Sequence, residues 1–258
     1  MWPFGNKTLL DADTTAWHVD NFEWLLKVLP TENDFAKTRL ILPRPGFFDS
    51  HGLKGDALAQ SLFNQVKAYC GMADWPVELI SEGAAPKRNR DLIQVPDRNL
   101  GFSGTFATDG NAAVITYDPA LLDTPHDFIT TMAHELAHYL LATVPDERAC
   151  DDTHEEHLTD LTAVFLGFGV FLANSAFTFE QWRDEGLGAS QGWSYKRSGY
   201  LSETELVFAT ALFLTLSGKD CAAAETSLKP HLAKQLRQAI KELSKSDLSA
   251  LRVLTLSQ

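Results

Sequence analysis

The chain has 258 residues, 45% of them hydrophobic, enough to bury a full core in one large domain or two small ones. Its formal net charge of −12 provides no basic field to neutralise phosphates and argues against a nucleic-acid partner. Cys70, Cys150 and Cys221 are odd in number, widely spaced and in no metal-binding pattern, as expected for free thiols in a reducing compartment.

The first residues, Met1-Trp-Pro-Phe-Gly-Asn-Lys7, lack the charged start, apolar run and small-residue cleavage site of a signal peptide. The expected location is cytoplasmic. Trp17, Phe22, Leu25, Leu26, Val28 and Leu29 predict a helix from about Thr15 to Leu29, stopped by Pro30. Leu40-Ile-Leu42 reads as a short extended piece ended by prolines, and Gly46 to Gly52 as a loop in which His51 is solvated. Leu58, Leu62, Phe63, Val66 and Tyr69 recur at helical spacing and predict an amphipathic helix from about Asp56 to Cys70.

The pattern then shortens. Val77–Ile80, Asp91–Val95, Gly101–Thr108 and Ala112–Tyr117 are strand-like and separated by turn residues, notably Asp109-Gly-Asn111. They predict a small, mostly antiparallel sheet. The basic group Lys87-Arg-Asn-Arg90 falls in one of its loops. The last strand leads almost directly into a helix for which Thr124 is the N-cap, Pro125 the first residue and Asp127 a favourable first-turn carboxylate. Whether that strand is an edge or an inner strand is open.

This helix carries His134-Glu135-Leu136-Ala137-His138, a HExxH pattern. Residues four apart on a helix share a face, so both imidazoles can reach one metal ion, with Glu135 placed to act as general base on a zinc-activated water. Met132, Ala133, Leu136, Ala137, Leu140 and Leu141 mark the helix as buried, where His and Glu without partners would be costly. A catalytic zinc needs a third protein ligand and an open position. The glycine and third histidine of the metzincin pattern are missing, since Leu141 and Val144 stand there.

The next polar cluster, Asp151-Asp-Thr-His-Glu-Glu-His-Leu-Thr-Asp160, directly precedes the apolar run Leu161–Ala173, a buried helix too short to span a bilayer. Glu156 and Asp160 share one face of this second helix. A HExxH helix followed by a helix with ExxxD resembles the gluzincins, the thermolysin-type metallopeptidases and their relatives. The resemblance covers residues 133–160. It implies a zincin-like fold, zinc bound by His134, His138 and Glu156, Glu135 as general base, and Asp160 as the carboxylate that orients a ligand histidine. The residues themselves leave alternatives. His154, His157 and Asp160 are chemically competent third ligands, and Thr153 with Glu156, or Asp152 with Glu155, reads as a capping pair.

Phe179 to Gly199 is rich in glycine, serine and aromatic residues and suits a loop overhanging a site. Tyr195, Arg197 and Tyr200 are its candidates for stabilising an oxyanion. Ser202-Glu-Thr-Glu205 is a capping box that opens a helix to about Ser217, and Pro230–Leu243 is a polar amphipathic helix. Without repeats or a low-complexity linker, the expectation is one α+β domain over 1–258, with a mixed half (1–118) and a helical half (119–258) carrying the metal site. The expected function is a zinc-dependent hydrolase, a metallopeptidase acting on a peptide or protein substrate. The alternative is a non-catalytic, zinc-stabilised binding or regulatory protein of the same fold. Neither nucleic acid nor membrane insertion is expected, and the sequence carries no oligomeric state.

Overall fold

The structure is a computed structural model that describes residues 8–29, 35–82, 93–94, 104–108, 113–144, 152–176 and 201–256, with backbone alone for 93–94, 104–108, 152–154 and 256. The helices in chain order are α1 (Ala12–Val28), α2 (Gly55–Tyr69), α3 (Pro125–Ala142), α4 (Asp152–Ala163), α5 (169–176), α6 (Glu203–Ser217), α7 (Ala222–Ser227), α8 (Pro230–Leu243) and α9 (Ser249–Leu256). The strands are β1 (Val77–Ser81), β2 (Ile93–Gln94), β3 (Gly104–Thr108) and β4 (Ala113–Tyr117). The protein is thus mostly helical with one small sheet, broadly α+β. Its residues group into two compact units. One draws on 1–42, 160–174 and 200–258, the other on 43–159 and 175–199.

In the first unit, Asp11 starts α1 by accepting the Thr14 N–H at 2.8 Å, slightly ahead of the expected start. The inward face of α1 meets an aromatic core. The ring of Phe35 lies 5.8 Å from Phe22, 4.9 Å from Phe165 and 5.5 Å from Phe213. The Ser202–Glu205 capping box forms as its sequence predicts, and α6 ends at Gly218 in the left-handed region. Helices α8 and α9 pack against α6. The apolar run that begins in α4 is buried: the stretch Glu155–Ala176 has the length and hydropathy of a membrane span, yet 94% of its apolar 18-residue window is buried.

That run is not a plain helix. Val164–Phe168, between α4 and α5, forms a π-helical turn in which Gly167 has φ 98°. The extended segment at Leu40–Leu42 lies on this turn, with Ile41 N–H donating to the Gly167 carbonyl at 2.9 Å. A side chain at Gly167 would run into the Arg39 carbonyl. Gly167→Ala therefore combines a left-handed φ with a backbone clash, and is expected to destabilise this unit by more than about 2 kcal/mol in denaturant unfolding. An unchanged midpoint would mean that the 39–41 segment is not bound there.

The second unit carries the sheet, in the order β1-β4-β3-β2. The sheet is mixed, and the expectation of a mostly antiparallel sheet missed one parallel pairing. β1 and β4 pair in parallel, with Leu79 opposite Ile115, while β3 pairs antiparallel with β4 and β2 with β3. Turn residues such as Asp109-Gly-Asn111 report hairpins between consecutive strands. The β1–β4 pairing is non-local and leaves no such local mark. β4 is an inner strand, flanked by β1 and β3, so its main chain is not an edge for a peptide to join.

From β4 the chain turns through Pro119–Asp123, where Asp118 Oδ1 accepts the Ala120 N–H at 2.8 Å, and enters α3. The Tyr117 ring stands edge-on to Phe128 at 5.5 Å, and its hydroxyl donates to Asp56 of α2 at 2.6 Å. Helix α3 packs against α2 and β3. These contacts fix where the HExxH helix lies within the unit.

Candidate metal centre

Thr124 and Pro125 open α3 as the sequence predicts, although the cap is made by backbone: the Thr124 carbonyl accepts the N–H groups of Asp127 and Phe128 at 2.8 and 3.2 Å. Asp127 does more than face the helix dipole. Its carboxylate accepts the Ser175 hydroxyl at 3.0 Å, and that hydroxyl also lies 2.9 Å from His126 Nδ1 and 3.2 Å from Thr130 Oγ1. Burial pushes the Asp127 carboxyl up, but the bonds from His126 and Ser175 hold it below the usual carboxylate range. Directly after His138, the Tyr139 ring packs edge-on against Trp75 at 4.9 Å, and Trp75's carbonyl accepts the buried Lys67 ammonium at 2.7 Å. The helix is held at both ends.

Between these anchors α3 buries Phe128, Met132, Ala133, Leu136 and Ala137, and brings His134 and His138 one above the other. Their rings are 4.7 Å apart and nearly perpendicular, with the two Nε2 atoms 3.1 Å from each other. Glu156 of α4 closes the group, its Oε2 lying 3.2 Å from His134 Nε2 and 3.4 Å from His138 Nε2. All three side chains are largely buried, at 10, 14 and 18% exposure. His134, His138 and Glu156 form the group of His, Cys, Asp or Glu close enough to hold one metal ion among the described residues.

The chemistry of this donor set fits a cation. Three nitrogen and oxygen atoms of ligand type face one another across 3.1, 3.2 and 3.4 Å, and Glu156 Oε2 is buried without a hydrogen-bond donor among the described residues. A tetrahedron with arms of roughly 2.0 Å has edges of about 3.3 Å, so the three atoms match three corners around one ion. Burial pushes the Glu156 carboxyl up, but the imidazoles of His134 and His138 outweigh it and hold the group ionised far below the usual range.

Glu135 is buried at 6% exposure. Burial raises its pKa, while the charges of His138 and His134 pull it down and that of Glu156 pushes it up. One turn earlier, on the same face, the buried Thr131 hydroxyl is without a partner among the described residues. A buried hydroxyl left unsatisfied beside a metal-type cluster is a feature of a site that holds something polar.

Of the rival third ligands, His157 and Asp160 stand outside the cluster, and the side chain of His154 lies outside the described residues. The Asp160 carboxylate accepts the Leu201 N–H at 2.9 Å. His138 has a polar neighbour in Thr159, whose Oγ1 lies 3.2 Å from His138 Nδ1. Helical spacing alone does not single out Thr159, because it gives a face but not the reach of a short hydroxyl. Tyr195, Arg197 and Tyr200 lie outside the described residues, as do Cys150 and the Lys87–Arg90 group; Cys70 and Cys221 are free thiols. Comparison with protein-family models, with curated proteins and with solved structures finds no match to this chain.

Proposed function

We propose that the chain is a zinc-dependent hydrolase of zincin-like fold, with peptide bonds as its substrate class. The supporting observation is the convergence of His134 Nε2, His138 Nε2 and Glu156 Oε2 at 3.1 to 3.4 Å on helices α3 and α4. Two imidazoles and one carboxylate are the ligand type of catalytic rather than structural zinc, which favours four ligands rich in cysteine. Bound there, the ion supplies Lewis acidity that makes a water nucleophilic near neutral pH. Glu135, next to His134, would take the proton from that water during attack on the carbonyl and return it to the leaving amine. A buried carboxylate with a raised pKa is a better proton acceptor than an ordinary exposed glutamate, because its charged form is poorly solvated.

The test is metal content of protein purified without chelator, followed by cleavage of a peptide library. About one zinc per chain is expected in wild type. His138→Ala is expected to lose it, with cleavage following the metal-loaded fraction. A wild type that takes up no zinc even when zinc is added back overturns the proposal. Zinc without any cleavage moves the assignment to the non-catalytic, zinc-stabilised protein.

A further inference from the structure

We propose that Thr159 is the positioning residue that fixes which nitrogen of His138 faces the metal. The proposal rests on the metal reading of the His134, His138 and Glu156 cluster and adds a residue to it. The Thr159 side chain is fully buried, and its hydroxyl has two neighbours: the Glu155 carbonyl at 2.9 Å and His138 Nδ1 at 3.2 Å. A carbonyl oxygen only accepts, so the single hydroxyl proton goes to Glu155. Two oxygens at 2.9 Å without a proton between them would repel. The hydroxyl oxygen is then left as acceptor, and the proton on its other side belongs to His138 Nδ1.

A neutral imidazole carries one N–H. With that proton on Nδ1, Nε2 holds a free lone pair, and it is Nε2 that lies 3.1 Å from His134 Nε2 and 3.4 Å from Glu156 Oε2. Thr159 thereby presents His138 as an Nε2 donor before any ion arrives, and fixes the ring plane as well. One turn of α4 supplies both the third ligand, Glu156, and the group that aims the second. A shift of α4 that displaced Glu156 would misdirect His138 at the same time.

Thr159→Val keeps the branched shape and removes the hydroxyl, and Thr159→Ser keeps the hydroxyl. The first readout is the ¹⁵N spectrum of His138 in metal-free protein at a pH where the ring is neutral. Wild type and Thr159→Ser are expected to show the Nδ1–H tautomer, and Thr159→Val a shift toward Nε2–H. The second readout is zinc affinity by competition with a chromogenic chelator. Thr159→Val is expected to bind about 10- to 100-fold more weakly than wild type, with Thr159→Ser restoring most of the loss. An Nε2–H tautomer in wild type overturns the proposal, and so does a Thr159→Val protein with wild-type tautomer and affinity. Equal loss in both variants, tracking their thermal stability, would reduce Thr159 to packing. If wild type binds no zinc, the metal reading fails, while the tautomer of His138 still decides the role of Thr159.

Discussion

Replacing Glu135 by Gln is expected to lower peptide turnover by about 10²- to 10⁴-fold while leaving zinc content at the wild-type level, because the amide keeps the shape but accepts no proton. The same substitution is expected to stabilise the metal-free fold at pH 7. Glu135 is a buried carboxylate whose desolvation raises its pKa, and removing the charge relieves that desolvation cost. The pH dependence has a definite sign. The folded-state pKa of Glu135 is raised, so the unfolded chain loses this proton first as pH rises, and the folded state becomes relatively less stable above the ordinary glutamate range. The stability gap between Glu135→Gln and wild type should therefore be small near pH 4 and open toward neutral pH. Turnover measured beside thermal unfolding at both pH values checks this. A variant with full activity removes Glu135 as the base, and a gap that widens toward acid contradicts the raised pKa of the buried carboxylate.

Much of the architecture around the site is written in local residues. The start of α3 at Thr124-Pro125, the pairing of His134 with His138 over one turn, and the Ser202–Glu205 capping box depend on neighbours within four positions, and the structure contains each of them. What local spacing did not carry depends on residues far apart in the chain. The parallel β1–β4 pair joins strands whose intervening chain includes two others, so the turn residues between them report only the antiparallel hairpin partners. The π turn at Gly167 reads as ordinary apolar helix, because the extended segment that packs on it, Arg39 to Ile41, lies more than a hundred residues away. Thr159 is a third instance. Among Glu155, Glu156, Thr159 and Asp160, periodicity identifies a face, but only the placement of α4 beside α3 puts a hydroxyl on the far nitrogen of His138.

The second large effect concerns Glu156, whose removal separates a metal centre from a fortuitous cluster. In wild type, zinc at a free concentration 1,000-fold above its dissociation constant is expected to stabilise the folded state by about 4 kcal/mol, since the unfolded chain offers no assembled site. Glu156→Ala leaves two imidazole donors, both on α3, and breaks the link from α3 to α4 that the ion would form through Oε2. Zinc-induced stabilisation should then collapse at the same metal concentration, and zinc content should fall below about one tenth of an ion per chain after dialysis. Alanine is a cleaner choice than glutamine here, because an amide oxygen still coordinates weakly. If Glu156→Ala keeps the full zinc-dependent shift in thermal unfolding, the third ligand is another residue, and the closeness of Oε2 to the two Nε2 atoms reflects an ordinary buried ion pair. If the shift is lost while the metal-free variant unfolds near the wild-type temperature, the carboxylate is held in place for the ion. Its proximity to two imidazoles is then a preorganised coordination site rather than a contribution to the fold.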